Sequence, residues 1–168
     1  MRDASVPPSR VLVAGVGNTL LGDDAFGPEA VRRLAHGTLP EGCHAANFGA
    51  RPLDLAYRVM AGGYETVILV NAVARGGTPG TLYVLEPEDL ETQTPFVAAH
   101  GVRPQQVAGT IRTLGGQPCP MLVVGCEPAH LGPEPGLSPA VEEALDEAVH
   151  LVRALAARPL EPATRGSR

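Results

Sequence analysis

The apolar positions of this chain change period along its length. Val11-Leu12-Val13-Ala14 is an unbroken run of small and β-branched residues that ends in Gly15-Val16-Gly17-Asn18. That is the pattern of a buried strand leaving through a tight glycine turn. From Pro28 to Ala35, Ala30, Val31, Leu34 and Ala35 fall at helical spacing with Arg32 and Arg33 opposite, which predicts a helix laid on a sheet. Cys43 to Phe48 reads as a short second strand, with Asn47-Phe48-Gly49 as its exit. Pro52 to Met60 returns to the helical period through Leu53, Leu55, Ala56, Val59 and Met60, and Gly62-Gly63 stops it. Thr66-Val67-Ile68-Leu69-Val70 is the most β-prone run and ends at Asn71, so a central strand buried on both faces is predicted.

The second half is more mixed. Gly76-Gly77-Thr78-Pro79-Gly80 is a turn cluster, and Thr81 to Leu85 follows too closely for a helical crossover, so it is expected to be antiparallel and near an edge. Glu86 to Pro95 is acidic and irregular. Ala98-Ala99-His100-Gly101 precedes a helical pattern from Pro104 to Leu114 carried by Val107, Ile111 and Leu114. Pro120 to Gly125 reads as the last strand. Ser138-Pro139 then opens the longest helix, with a capping serine, a proline at its first position, and Val141, Leu145, Ala148, Val149, Val152 and Leu155 on its apolar face. Strands alternating with helices predict an α/β fold: a three-layer α/β/α sandwich around a mostly parallel twisted sheet of about five strands.

Composition narrows the class. With 168 residues, 44% hydrophobic and 18% charged, one domain over residues 11–158 is expected, flanked by disordered segments at 1–10 and 159–168. A net charge of −5, with arginine as the only basic residue besides histidine, argues against nucleic acid or an anionic membrane as partner. No apolar run approaches the roughly 20 residues of a spanning helix, and the polar start has no signal-peptide core, so a cytoplasmic protein is expected. Nothing in the pattern points to an oligomer, and a monomer is expected. Cys43, Cys119 and Cys126 lack Cys-x-x-Cys spacing and read as buried or incidental thiols.

The candidate chemistry comes from topology. In a doubly wound sheet the first and third parallel strands flank the switch point, so the loops after Val16 and Val70 open into one crevice. Asp24 and Asn71 would face it, and His100 is the candidate third member. A carboxylate, a carboxamide oxygen and an imidazole can bind one transition metal; alternatively the carboxylate and imidazole can act as an acid/base pair. Plainer readings stand beside these. Asp23 or Asp24 can cap the following helix, Asn71 can be a turn residue, and His100 can cap a helix or lie in solvent. Gly15-Val16-Gly17 also begins a dinucleotide fingerprint, but the third glycine would fall on Leu20, and the acids that follow would repel a pyrophosphate.

The sequence resembles the hydrogenase maturation proteases, endopeptidases that trim the large subunit of nickel-iron hydrogenases. The resemblance rests on Gly15-Val16-Gly17-Asn18-Thr19-Leu20-Leu21-Gly22-Asp23-Asp24 with Gly27 beyond it, and on Val67 to Ala72. It also rests on Pro79-Gly80-Thr81-Leu82, the His100 segment, and Gly125-Cys126-Glu127-Pro128 leading to Gly136-Leu137-Ser138-Pro139. It implies recognition of nickel already carried by the large-subunit precursor, followed by removal of a short C-terminal extension. The family's first acid falls on Asp24 and its histidine on His100, which would hold the metal with Asn71. Asn18, Asp23 and Asn47 would support the site or bind substrate. Other divalent metals can substitute for nickel. The resemblance requires no serine or cysteine nucleophile, and none is expected beside Asp24 and His100.

Two positions depart from the family pattern. Asn71 and Asn47 stand where aspartate is typical, and each removes a negative charge while keeping nearly the same shape. A carboxamide oxygen is a weaker donor than a carboxylate and cannot act as a base. Two functions therefore stand open: an endopeptidase that works with a neutral ligand, and a binding protein of the same fold that docks a metalloprotein precursor without cutting it.

Overall fold

A computed structural model describes residues 10–87 and 102–158 of the protein. Its elements are β1 (Val11–Val16), α1 (Phe26–Ala35), β2 (Cys43–Gly49), α2 (Pro52–Gly62), β3 (Thr66–Ala72), β4 (Leu82–Leu85), α3 (Pro104–Thr113), β5 (Met121–Cys126) and α4 (Pro139–Ala156). A 3-10 turn at Gly22–Ala25 leads into α1. The sheet runs in the order β2-β1-β3-β5-β4, parallel except for β4, which pairs antiparallel with β5 at the edge. This is the three-layer α/β/α arrangement that the alternating pattern predicts, and β1 and β3 lie side by side at the switch point.

Strand alternation divides the core in two. Val11, Val13, Ile68, Val70 and Val124 face α1 and α4, meeting Phe26, Leu34 and Leu145. Leu12, Ala14, Val67, Leu69 and Val123 face α2 and α3, meeting Leu55, Val59, Val107 and Ile111. Because both faces are covered, β1, β3 and β5 are buried at every position, and their sequences are continuous apolar runs rather than alternating ones. Arg10 is tied to the fold, its carbonyl accepting the Glu65 N–H at 2.8 Å and its guanidinium lying over the Tyr64 ring. No helix among the described residues is long and apolar enough to cross a membrane.

Several elements differ from their predicted bounds for local reasons. Helix α1 starts at Phe26 rather than Pro28 because the 3-10 turn feeds directly into it, the Phe26 N–H donating to the Asp23 carbonyl. Asn71 lies inside β3, paired with Gly125, and Asn47 lies inside β2, paired with Gly15, so neither begins a loop. Ser138 stands at the N-cap of α4 but makes no side-chain cap bond. Gly63 ends α2 in the left-handed conformation, as the glycine pair predicts.

Gly27 fixes how closely α1 sits on the sheet. A Cβ there would lie 2.2 Å from the Val70 carbonyl oxygen and 2.4 Å from that of Val16, so the first turn of α1 rests on the ends of β1 and β3 together. Gly27→Ala is expected to cost about 3 kcal/mol, the upper end for overpacking, because only backbone can yield. At Gly109, inside α3, an added Cβ meets nothing within 4 Å, and Gly109→Ala should stabilise by about 1 kcal/mol. Urea midpoints of the two variants should move in opposite directions.

Candidate active site

The carboxyl edge of the sheet holds three buried acids: Asp23, Asp24 and Glu127. Each reaches its place for a different reason.

Asp23 is a clasp. Its Oδ2 accepts the N–H groups of Ala129 at 2.8 Å and His130 at 3.0 Å and the Ser138 hydroxyl at 2.9 Å, while Oδ1 accepts the Ser138 N–H at 2.7 Å. The Asp23 N–H in turn donates to the His130 carbonyl at 2.8 Å. The turn before α1 is thereby stitched to the loop between β5 and α4. The serine predicted to cap α4 spends its hydroxyl here, and neither Asp23 nor Asp24 caps α1, whose N-cap is Ala25. A serine thus does stand beside the acidic pair, but its hydroxyl proton is committed to Asp23.

Asp24 is wholly buried, and its Oδ2 accepts the Asn18 N–H at 2.7 Å. The Asn18 side chain accepts the Leu20 N–H at 2.9 Å, shaping a loop whose tip carries Leu20 at 66% exposure. Gly17 permits the approach, since with φ +132° a Cβ there would stand 2.0 Å from the Asp24 carbonyl oxygen. The 3-10 turn bearing Asp24 packs against β3, where Asn71 is buried one residue past the Val70 carbonyl on which Gly27 rests. By strand parity Asn71 continues the row of Val67 and Leu69 toward α2 and α3. Asn47 is exposed, and its Oδ1 accepts the Gly49 N–H at 2.9 Å, which shapes the end of β2. His100 lies outside the described residues.

Glu127 is the residue that sequence reasoning passed over except as part of a motif. Its Oε2 accepts the Arg75 N–H at 2.8 Å and the Tyr83 hydroxyl at 2.9 Å, and its Oε1 accepts the Gly76 N–H at 3.2 Å, so it holds the loop between β3 and β4. An acid directly after a buried strand was the available signal. Burial, then the bond to Glu127 and its charge, hold the Tyr83 phenol above the usual tyrosine range.

The thiols are unsuited to nucleophilic attack. Burial, with the charges of Asp23 and Glu127, pushes Cys126 up to about 12, and burial raises Cys43 and Cys119 as well. A thiol that stays protonated at neutral pH is a poor nucleophile. Among the described residues no group of three or more histidine, cysteine, aspartate and glutamate side chains could hold a metal.

The fold is a doubly wound α/β protein with buried acids and a loop junction at the carboxyl ends of its strands. The comparisons with known proteins agree. The family model of the hydrogenase maturation proteases, HycI, matches residues 28–155. The hydrogenase expression/formation protein HupD of Rhodobacter capsulatus is 34% identical over 95% of this chain and 77% of its own. Among solved structures, the hydrogenase maturating endopeptidase HybD from E. coli superposes with a TM-score of 0.70 at 29% identity, over 87% of this chain and 91% of that one. The [NiFe] hydrogenase maturation protease HycI from Thermococcus kodakarensis gives 0.73 at 26% identity, over 89% and 94%. The chain belongs to the hydrogenase maturation protease family.

Two outcomes follow from the site's structure. Asp23→Asn places an amide nitrogen against donors and removes a buried charge they were arranged for; a loss of about 3 kcal/mol is expected in urea unfolding. For Cys126, the unfolded chain releases its proton near the ordinary 9.0 and the folded chain only near about 12. Its contribution to stability is therefore whole below pH 9.0 and is lost as pH rises through that window. The fall in unfolding midpoint with alkaline pH should be shallower in Cys126→Ala.

Proposed function

We propose that this protein is an endopeptidase that reads nickel in the precursor of a nickel-iron hydrogenase large subunit and removes its C-terminal extension. The observation that carries this reading is the buried Asp24 carboxylate, aligned by the Asn18 N–H on a turn that packs against the strand holding Asn71. Asp24 supplies the charged donor, Asn71 a neutral one, and His100, outside the described residues, the third.

The donor set fits an ion delivered by the substrate better than one kept by the enzyme. Asp23 has both oxygens engaged and cannot ligate. One carboxylate, one carboxamide and the imidazole of His100 offer a divalent ion a single negative charge, and the carboxamide is a weak donor. Nickel already ligated in the precursor needs only this partial completion, so the metal acts as a feature of the substrate. It can polarise the scissile carbonyl while water adds to the carbonyl carbon. In that step the Asp24 carboxylate takes the water's proton and returns it to the departing amine as the carbon–nitrogen bond breaks. Both Asp24 and Asn71 are buried, so the precursor must displace whatever covers them. The site as a whole would make the protein a cytoplasmic monomer's equivalent of a sorting check: precursor with nickel is cut, precursor without it is not.

One observation favours a second reading. Asn71 is a neutral residue, 4% exposed, on the strand against which the Asp24 turn packs, and the lost charge favours a protein that docks the nickel-bearing precursor and does not cut it. Incubation with nickel-loaded large-subunit precursor separates the two. A mass loss equal to a C-terminal peptide supports the endopeptidase, and stable co-elution without cleavage supports the binder. Asn71→Asp should raise Ni²⁺ affinity in calorimetry about tenfold, the result of adding an anionic oxygen donor. Unchanged affinity would remove residue 71 from the metal's surroundings.

A further inference from the structure

Strand β2 forms one edge of the sheet, pairing with β1 alone. Half of its backbone N–H and C=O groups therefore point outward, away from any strand. Edges of this kind are ordinarily blunted by charged side chains, proline or brevity. β2 has none of these: its seven residues are Cys-His-Ala-Ala-Asn-Phe-Gly, whereas the opposite edge strand β4 has four. The one irregularity in its pairing lies at Gly15 and Val16, toward the site.

Beside this edge runs a groove of about 650 Å³, shared by the carboxyl half of β2 and the outer side of α1. Its β2 wall is Ala45 and Ala46, whose small side chains leave room for another backbone to come close, and Glu29, Arg32 and Glu142 line it farther out along with Ala25 and Ala35. At one end it reaches Thr19 and Asn47. Thr19 adjoins Asn18, whose N–H holds Asp24, and Asn47 shapes the turn whose Gly49 carbonyl accepts the Gly17 N–H at 3.0 Å. The groove is thus continuous with the candidate active site.

We propose that the C-terminal extension of the precursor binds as an added outer strand along β2, with its side chains over the groove. This rests on the processing role proposed above. The peptide bond to be cut lies at the site end, and the extension is the chain downstream of it, so it runs from Asn47 toward Cys43, antiparallel to β2. Seven residues of β2 offer an edge of roughly 20 Å. Main-chain pairing supplies affinity without demanding a particular sequence.

Hydrogen exchange of the full-length protein, followed by mass spectrometry, tests this. The probes are the nickel-loaded large-subunit precursor and the same subunit lacking its extension. With the extension present, amides in residues 43–49 should slow about tenfold or more, as expected for edge groups newly paired. With the extension-less subunit they should not slow. Co-elution of the precursor with unchanged exchange at 43–49, or equal slowing with both probes, overturns strand addition and leaves the processing role standing. Slowing that appears in the isolated protein as its concentration rises means that a second copy covers the edge, and also overturns it. Failure of the nickel-loaded precursor to associate overturns the processing role and this inference together.

Discussion

One buried carboxylate joins two distant loops at the carboxyl edge of the sheet. Asp23 receives three backbone or hydroxyl donors on one oxygen and one on the other, all from residues 129, 130 and 138. A buried carboxylate without partners would be far too costly to keep ionised, and one with four donors becomes a fixed point. Its position in the chain gives it consequence, because the next residue is Asp24. Held on the other side by Gly17 and Asn18, Asp24 has little freedom to turn away from the ends of β1 and β3. Asp24 is thus held in place both by its neighbour in the chain and by its own bond from the Asn18 N–H.

The same edge is tightened by close backbone contact. Gly27 lets the first turn of α1 rest on the carbonyls of Val16 and Val70, and a Cβ at Gly15 would lie 2.7 Å from the Gly27 carbonyl oxygen. Helix, first strand and third strand therefore meet with no side chain between them. The stretch that resembles the protease family is thus also the stretch in which three elements come closest. Glu127 does similar work on the far side, fixing the loop after β3 through two backbone N–H groups and Tyr83. Surface ion pairs such as Arg33 with Asp146 join α1 to α4 but, being exposed, add little.

The architecture was legible because burial on two faces leaves a plain mark: Val11 to Ala14 and Val67 to Val70 are unbroken apolar runs, and the helices between them keep the 3.6 period. The antiparallel edge at β4 was legible from the short turn cluster before it. What the sequence hid was the use of polar side chains across long separations. Ser138 has every local feature of a helix cap, yet its hydroxyl bonds Asp23, because a buried carboxylate outcompetes the first N–H groups of a helix already started by Pro139. Asn71 reads as a turn residue by type, and only pairing with Gly125 places it within a strand. Asp23 and Asp24 are adjacent and chemically alike; nothing local separates the clasp from the candidate reacting group. Of the proposed metal donors, His100 falls outside the described residues, so the meeting of residues 24, 71 and 100 stands as a proposal.

If the Asp23 carboxylate is the point on which the active edge depends, its donors should be among the slowest-exchanging amides outside the strands. Residue-resolved native-state hydrogen exchange of Ala129, His130 and Ser138 measures this directly. The account expects all three to exchange only through global unfolding, with one shared free energy and one shared dependence on denaturant. Exchange of any of them at rates typical of an open surface loop, while β1 and β3 remain protected, would contradict it.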